Sequence, residues 1–257
     1  MGYVTAELLL NLGARVMLHG RDHERLKEAY SRLATHFGED RLGFAAGDLT
    51  SKESAAKVAD AAWQRFGRLD VLINNAGTSM RGRFGELSYE VIDRLLRDNL
   101  LGSLLITRAC WKLVSEGGGR VWFVSTLGAV RGFAGVSVYG AAKAALTSIS
   151  ESLTVESHPA GLKSGVVYLP FVENDPGKTI LNAQGALVHH ERHADWSQAR
   201  AAEQILRSVA KGKPKDYSTL SGRLLALAEC LIPSVLTTFF RRKNLHQITV
   251  VPKPVSE

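Results

Sequence analysis

Cysteine is scarce: two in 257 residues, Cys110 and Cys230, at no disulfide or metal-ligand spacing. That excludes a disulfide framework and points to a reduced compartment, with both thiols as plain apolar residues. No basic stretch followed by an apolar core opens the chain, so no secretory signal is expected. Spanning a bilayer takes about 20 uninterrupted apolar residues. The most apolar stretch, Leu220 to Phe240, is broken by Arg223, Glu229 and Pro233. Internal repeats, low-complexity tracts and linkers are missing. So are nucleic-acid motifs, and the net charge of +7 is read toward anionic ligands or lipid head groups, with no nucleic acid as partner. The location expected is cytoplasmic, with peripheral membrane contact as the variant.

Hydrophobic residues make up 45% of the chain, enough for one sizeable core or two small ones. Helical spacing of apolar residues runs from about Val4 to Leu12, where Gly13 stops it. Ala14 to Leu18 reads as a buried strand and Asp22 to Phe37 as a helix. Leu42 to Ala46 reads as a strand, followed by a helix capped by Thr50 or Ser51 and running to Phe66. Leu69 to Ile73 is strand-like, and Asn74-Asn75-Ala76-Gly77 breaks it. One long helix is predicted from Ser88 to Ser115, then a strand from Arg120 to Val124. A helix from Ser137 to Ser157 and a last clear strand, Gly165 to Leu169, follow. Residues 171–195 read as an irregular, functional loop. Beyond it lies a helix from Trp196 to Ala210. Trp63, Trp111 and Trp122 are expected to fill core or helix-sheet contacts. Strands alternating with helices give βαβ units, hence an α/β, doubly wound, three-layer parallel sheet of Rossmann type.

Tyr139 and Lys143 stand four apart on one predicted helix, and so on one face. An ammonium beside a phenol favours the phenolate and lowers its pKa, which suits acid/base work near neutral pH. A hydroxyl pair, Ser125-Thr126, precedes them.

These residues, with Asn74-Asn75-Ala76-Gly77, Asp48-Leu49 and Asn99 in Asp98-Asn99-Leu100-Leu101-Gly102, resemble the motifs of the short-chain dehydrogenase/reductase family. The resemblance covers nearly the whole chain and weakens after Pro170. It implies Asn99, Thr126, Tyr139 and Lys143 as the catalytic set. Tyr139 would exchange a proton with the substrate oxygen, Lys143 would hold the nicotinamide ribose, and Asn99 would hold a relay water. Cofactor contacts would come from Gly2, Arg21, Asp48, Leu49, Asn75, Ala76, Gly77, Tyr139, Lys143, Pro170 and Val172. It also implies a homo-oligomer built on the helices of Asn99 and Tyr139, where Leu95, Leu96 and Leu104 suit an interface or the core equally.

Two departures stand out. The family's catalytic Ser sits thirteen residues before the Tyr, which here is Thr126. A Thr hydroxyl has the same donor and acceptor capacity, with a stiffer χ1. Ser125 is expected to face the sheet interior or bond to backbone. The second departure is at the start, where Met1-Gly2-Tyr3-Val4 resembles only the tail of the family's Thr-Gly-x-x-x-Gly-x-Gly turn, with Gly2 as its last glycine. The first strand, central in the family's sheet, is not in this sequence. A truncation or wrong start is favoured over a natural degenerate form that binds little cofactor.

Cofactor choice rests on Leu18-His19-Gly20-Arg21-Asp22. No carboxylate stands where one would accept from a ribose 2′-OH, and Arg21 suits a 2′-phosphate. NADP is therefore expected over NAD. His189, His190 and His193 lack a completing zinc pattern, so no metal is expected. Asn174-Asp175-Pro176-Gly177 reads as a turn that could give main-chain contacts to cofactor. Residues 1–219 are read as one Rossmann-type NAD(P)-binding domain and 220–257 as an apolar and basic extension. That extension could lie on an anionic membrane, pack on its own domain, cover a substrate pocket or form a dimer interface. The function expected is an NADP-dependent oxidoreductase interconverting a carbonyl and a secondary alcohol, its substrate small and lipophilic. The alternative is a catalytically impaired, membrane-associated interaction protein of the same fold.

Overall fold

The structure, a computed structural model, describes residues 1–157, 161–175, 178–190 and 194–247, without the side chains of 243–247. Helix α1 (Gly2–Asn11) ends before Gly13, whose φ of 85° only glycine adopts readily. Strand β1 (Val16–Gly20) leads to α2 (His23–Phe37), capped by the Asp22 carboxylate, which accepts from Arg25 N. Strand β2 (Leu42–Ala46) leads to α3 (Lys52–Phe66), where Ser51, not Thr50, is the cap. Then come β3 (Val71–Asn74), α4 (Tyr89–Leu96) and α5 (Gly102–Ser115). Strand β4 (Arg120–Thr126), α6 (Ser137–Glu156) and β5 (Lys163–Leu169) follow.

Strands β1 and β2 pair in parallel. Strands β3, β4 and β5 pair in parallel in that order, with a further strand, Lys215–Tyr217, on the outer edge of β5. Alternation along β4 sorts the core into two layers. Trp122 and Val124 pack with Val167, Leu169 and Ile205 on one face. Val121 and Phe123 pack with Val114, Leu146 and Tyr168 on the other. Helices on both faces of a parallel sheet make the three-layer doubly wound fold.

Among the described residues no ladder joins β1 to β3. The sheet is split where the resemblance places the family's first strand. The exposed edge shows in β3, where Val71, Leu72 and Ile73 are only half-buried.

Four sequence expectations need correction. The stretch 171–195 is not wholly irregular: β6 (Thr179–Leu181) and β7 (Leu187–His189) form an antiparallel pair. The outer strand, β8 (Lys215–Tyr217), lies beyond the predicted last strand, and helix α7 (Gln198–Lys211) precedes it. Three residues, Lys-Asp-Tyr, are too short and too polar to announce a strand. The predicted single helix 88–115 is broken by a π-helical turn, Arg97–Leu101. Trp63, expected in core or helix-sheet contacts, is exposed, while Trp122 is fully buried. His193, Pro176 and Gly177 lie outside the described residues.

The chain continues as α8 (Leu220–Leu231) and α9 (Pro233–Gln247), which meet at a bend of 119°. Neither helix alone is long and apolar enough to cross a membrane.

Candidate active site

The site gathers at the carboxyl ends of β3, β4 and β5, the usual ligand edge of an open α/β sheet. Its scaffold is the π turn. There Gly102 N donates to Arg97 O, five residues back, a bulge often found at functional sites. The turn carries Asn99, which is completely buried. Asn99 Oδ1 accepts from Thr78 N at 3.1 Å, and Nδ2 donates to Thr78 O and Leu95 O, both at 2.9 Å. The carboxamide thus clasps the loop after β3 and commits both its hydrogens.

Gly77 sits against this clasp. A Cβ there would stand 2.5 Å from Asn99 Oδ1 and 3.1 Å from Lys143 Nζ. Gly77, Asn99 and Lys143 therefore converge, although they come from a loop and two different helices. Lys143 is buried on α6, and its Nζ donates to Val124 O at 3.1 Å. Burial lowers its pKa to about 8. Ser125 is buried and donates from Oγ to Lys143 O at 3.2 Å. Its hydroxyl fixes the helix to β4 by a backbone bond, the second of the two roles expected of it. Thr126, the last residue of β4, is half-buried, and its Oγ1 accepts from Gly128 N at 3.3 Å. Tyr139, one turn before Lys143, packs beside Met80, Val91 and Leu95.

Asn99, Thr126, Tyr139 and Lys143 all line one cavity of about 700 Å³. Asn75, Gly77, Pro170 and Val172 line it too. Its walls include Leu127, Phe133 and Phe171, and Ser221 and Leu225 of α8. The sequence offered four roles for the C-terminal segment; the structure shows that it borders this pocket.

Arg21, Asp48, Leu49 and Ala76 lie outside that lining. Arg21, at the end of β1, donates from Nη1 to Asp98 Oδ1 at 2.9 Å. Thr78 Oγ1 donates to the other oxygen of Asp98 at 2.5 Å. Asp98 and Thr78 were not singled out from sequence, though Asp98 adjoins Asn99 and faces the end of β1. Asp48 accepts from Thr50 N at 2.9 Å, which holds its carboxyl below the usual range. His19 donates to Gly47 O at 2.9 Å, and burial lowers its pKa. Leu49 packs in a cluster with Val58 and Ile106, while Ala76 is exposed. Gly2 touches the site from the other side: a Cβ on it would stand 3.1 Å from Asn75 Nδ2. Among the described residues no group of three His, Cys, Asp or Glu could hold a metal ion.

A family model described as short chain dehydrogenase matches residues 1–184. The chain belongs to the short-chain dehydrogenase/reductase family. It is similar to a 3-dehydrosphinganine reductase of Danio rerio, 31% identical over 229 residues, 85% of this chain and 68% of that one. A 3-ketodihydrosphingosine reductase of Mus musculus is 28% identical over 225 residues, with the same coverage. A solved short-chain dehydrogenase from Streptomyces avermitilis shares the fold at a TM-score of 0.76 and 25% identity, covering 96% of this chain and 94% of that one.

Short-chain dehydrogenases/reductases are oxidoreductases that bind NAD or NADP. The residues present fit the nicotinamide-ribose half of such a dinucleotide. Asn75 Oδ1 is buried without a hydrogen-bond partner at the cavity wall, and such an orphan calls for a donor. Lys143 has three N–H donors and one protein acceptor, Val124 O. Gly77 leaves bare the space where a side chain would otherwise lie over Asn99 and Lys143.

Proposed function

We propose that this chain is an NADP-dependent oxidoreductase that interconverts a carbonyl and a secondary alcohol. The observation that carries this reading is the convergence of Lys143, Asn99 and Gly77 in the cavity that Tyr139 and Thr126 also line. Tyr139 protonates the substrate oxygen during reduction and takes the proton back during oxidation. Lys143 holds the ribose hydroxyls and, once charged, favours the Tyr139 phenolate. Thr126 Oγ1 orients the carbonyl oxygen. Asn99 holds a relay water through its main-chain carbonyl, since its carboxamide is already committed to Thr78 and Leu95. The dinucleotide, when bound, supplies or accepts the hydride. Asn75, Pro170 and Val172 flank its nicotinamide end; Gly2 and Ala76 stand beside Asn75, and Asp48 and Leu49 serve the adenine end. Arg21 meets the 2′-phosphate that distinguishes NADP.

The substrate we propose is a lipophilic ketone. Leu127, Phe133, Phe171 and Leu225 give the cavity apolar walls, and two relatives are named for reduction of a sphingoid-base ketone. We further propose a cytoplasmic homo-oligomer with residues 1–219 as its domain and 220–257 as an extension. Exposed Leu96 on α4 and Val155 on α6 suit a contact between copies.

The second reading is a catalytically impaired, membrane-associated interaction protein of the same fold. One experiment separates the two. NADPH fluorescence is titrated against this chain and against a chimera carrying a relative's first strand and glycine turn, and ketone-dependent NADPH loss is then followed. Binding and turnover by either protein support the enzyme. Binding by neither overturns it.

A further inference from the structure

We propose that α8 and α9 form an elbow that docks flat on an anionic bilayer surface. On α8, Leu220, Leu224, Leu227 and Leu231 recur at spacings of four, three and four, so they fall within about 60° of one another around the axis. Each is between 57% and 71% exposed. On α9, Val235 and Phe239 are also exposed, and Arg242 lies on the same side of that helix, seven residues after Val235. An exposed leucine stripe of this kind marks an interaction site.

The opposite faces of both helices are spoken for. Gly222 packs against Leu127, and Ser221 and Leu225 line the cavity. Phe240 meets Phe133 edge to face at 5.0 Å. Arg131 pairs with Glu229 on α8 and donates to Thr237 on α9 at 2.5 Å, so one guanidinium ties both arms to the domain. The elbow is therefore held in its bent shape with its leucines outward.

Charge decides the occupant. Between residues 220 and 243 the sole acid is Glu229, and Arg131 neutralises it on the inner face. Arg223, Arg241 and Arg242 are exposed. An apolar stripe beside cations, with no outward acid, matches an interfacial helix on anionic lipid. A symmetric contact between copies would set those cations near one another without a compensating acid.

The test is flotation of the whole chain with vesicles of phosphatidylcholine alone or mixed with phosphatidylglycerol. The expected result is recovery with the mixed vesicles at least about tenfold above the neutral ones, reduced by salt. Leu224→Ser with Leu231→Ser should abolish it, and Arg241→Gln with Arg242→Gln should weaken it, with melting temperature unchanged. A second measurement needs no variant. Cys230 is exposed on α8 while Cys110 is buried, so an environment-sensitive thiol dye labels Cys230 and should shift to the blue on mixed vesicles. Equal recovery of wild type and the leucine variant, no dye response, or a leucine-dependent dimer by size exclusion without flotation would overturn the proposal. None of these readouts depends on NADPH binding or turnover, so failure here is separable from failure of the oxidoreductase reading.

Discussion

Lys143 Nζ donates to the main-chain carbonyl of Val124 at 3.1 Å from a position closed to solvent. A buried ammonium is costly, and its pKa falls to about 8. Between about 8 and the ordinary value of 10.5 the unfolded chain binds the extra proton and the folded chain does not. Stability therefore rises as pH climbs through that window, and the burial cost is fully felt below it. The full effect is on the order of 3 kcal/mol. Lys143→Met, which also leaves Val124 O without its donor, should be about 1–2 kcal/mol more stable at pH 7. The variant should also lose that part of the pH slope and be inactive. Urea denaturation from pH 7 to 10, without nucleotide, checks it; parallel slopes for the two proteins would contradict it.

Tyr139→Phe removes the proposed proton donor and little else. Turnover should fall by about 10²–10⁴-fold, with NADPH affinity and melting temperature close to wild type. A melting temperature that collapses with the activity would assign Tyr139 to packing beside Met80 and Leu95.

The adjacent hydroxyls Ser125 and Thr126 should separate cleanly. Thr126→Val should lower kcat by about 10²-fold or more, and Thr126→Ser should keep it. Ser125→Ala loses the bond to Lys143 O, costing about 1 kcal/mol of stability and only a few-fold in rate. The reverse pattern would move the catalytic role to Ser125.

Gly77→Ala tests the convergence itself. Its methyl would meet Asn99 Oδ1 at 2.5 Å, and neither the clasp on Thr78 nor Lys143 can yield freely. Destabilisation of about 1–3 kcal/mol is expected, with activity down by at least about tenfold, by thermal melting and steady-state assay.

In the proposed function Arg21 carries the cofactor preference. Arg21→Gln should lower the ratio of kcat/KM for NADPH over NADH by about tenfold or more, a loss of roughly 1.4 kcal/mol or more of discrimination. Arg21→Asp should lower it further but would put a carboxylate beside Asp98, already nearly buried, and should unfold more easily. An unchanged ratio in both variants would remove Arg21 from phosphate recognition.

Much of the fold was legible because long apolar periods announce it. Leu42–Ala46 appears as a strand at the boundaries read from sequence, and Arg120 opens β4 as expected. What was missed lacked such periods. Lys215–Tyr217 owes its strand conformation to the free edge of β5, a tertiary cause. The π turn at Asn99 is invisible in a helical pattern that continues on both sides. Trp63 was misplaced because aromatic residues are usually buried; here it lies on the solvent side of α3, whose buried face is made of Ala55, Val58, Ala59 and Ala62. At the site, Tyr139 and Lys143 were legible by spacing. Asp98 and Thr78 were not, because their role depends on Arg21 reaching across from β1.

That reach has a further consequence. Among the described residues no main-chain ladder joins β1 to β3, yet Arg21 bonds to Asp98 and leans toward Thr78. The side chain proposed to meet a nucleotide phosphate thus also links β1 to the loop after β3 and to the π turn. A phosphate bound there would compete with Asp98 for the same guanidinium, so loading the site and bracing the fold would draw on one cation.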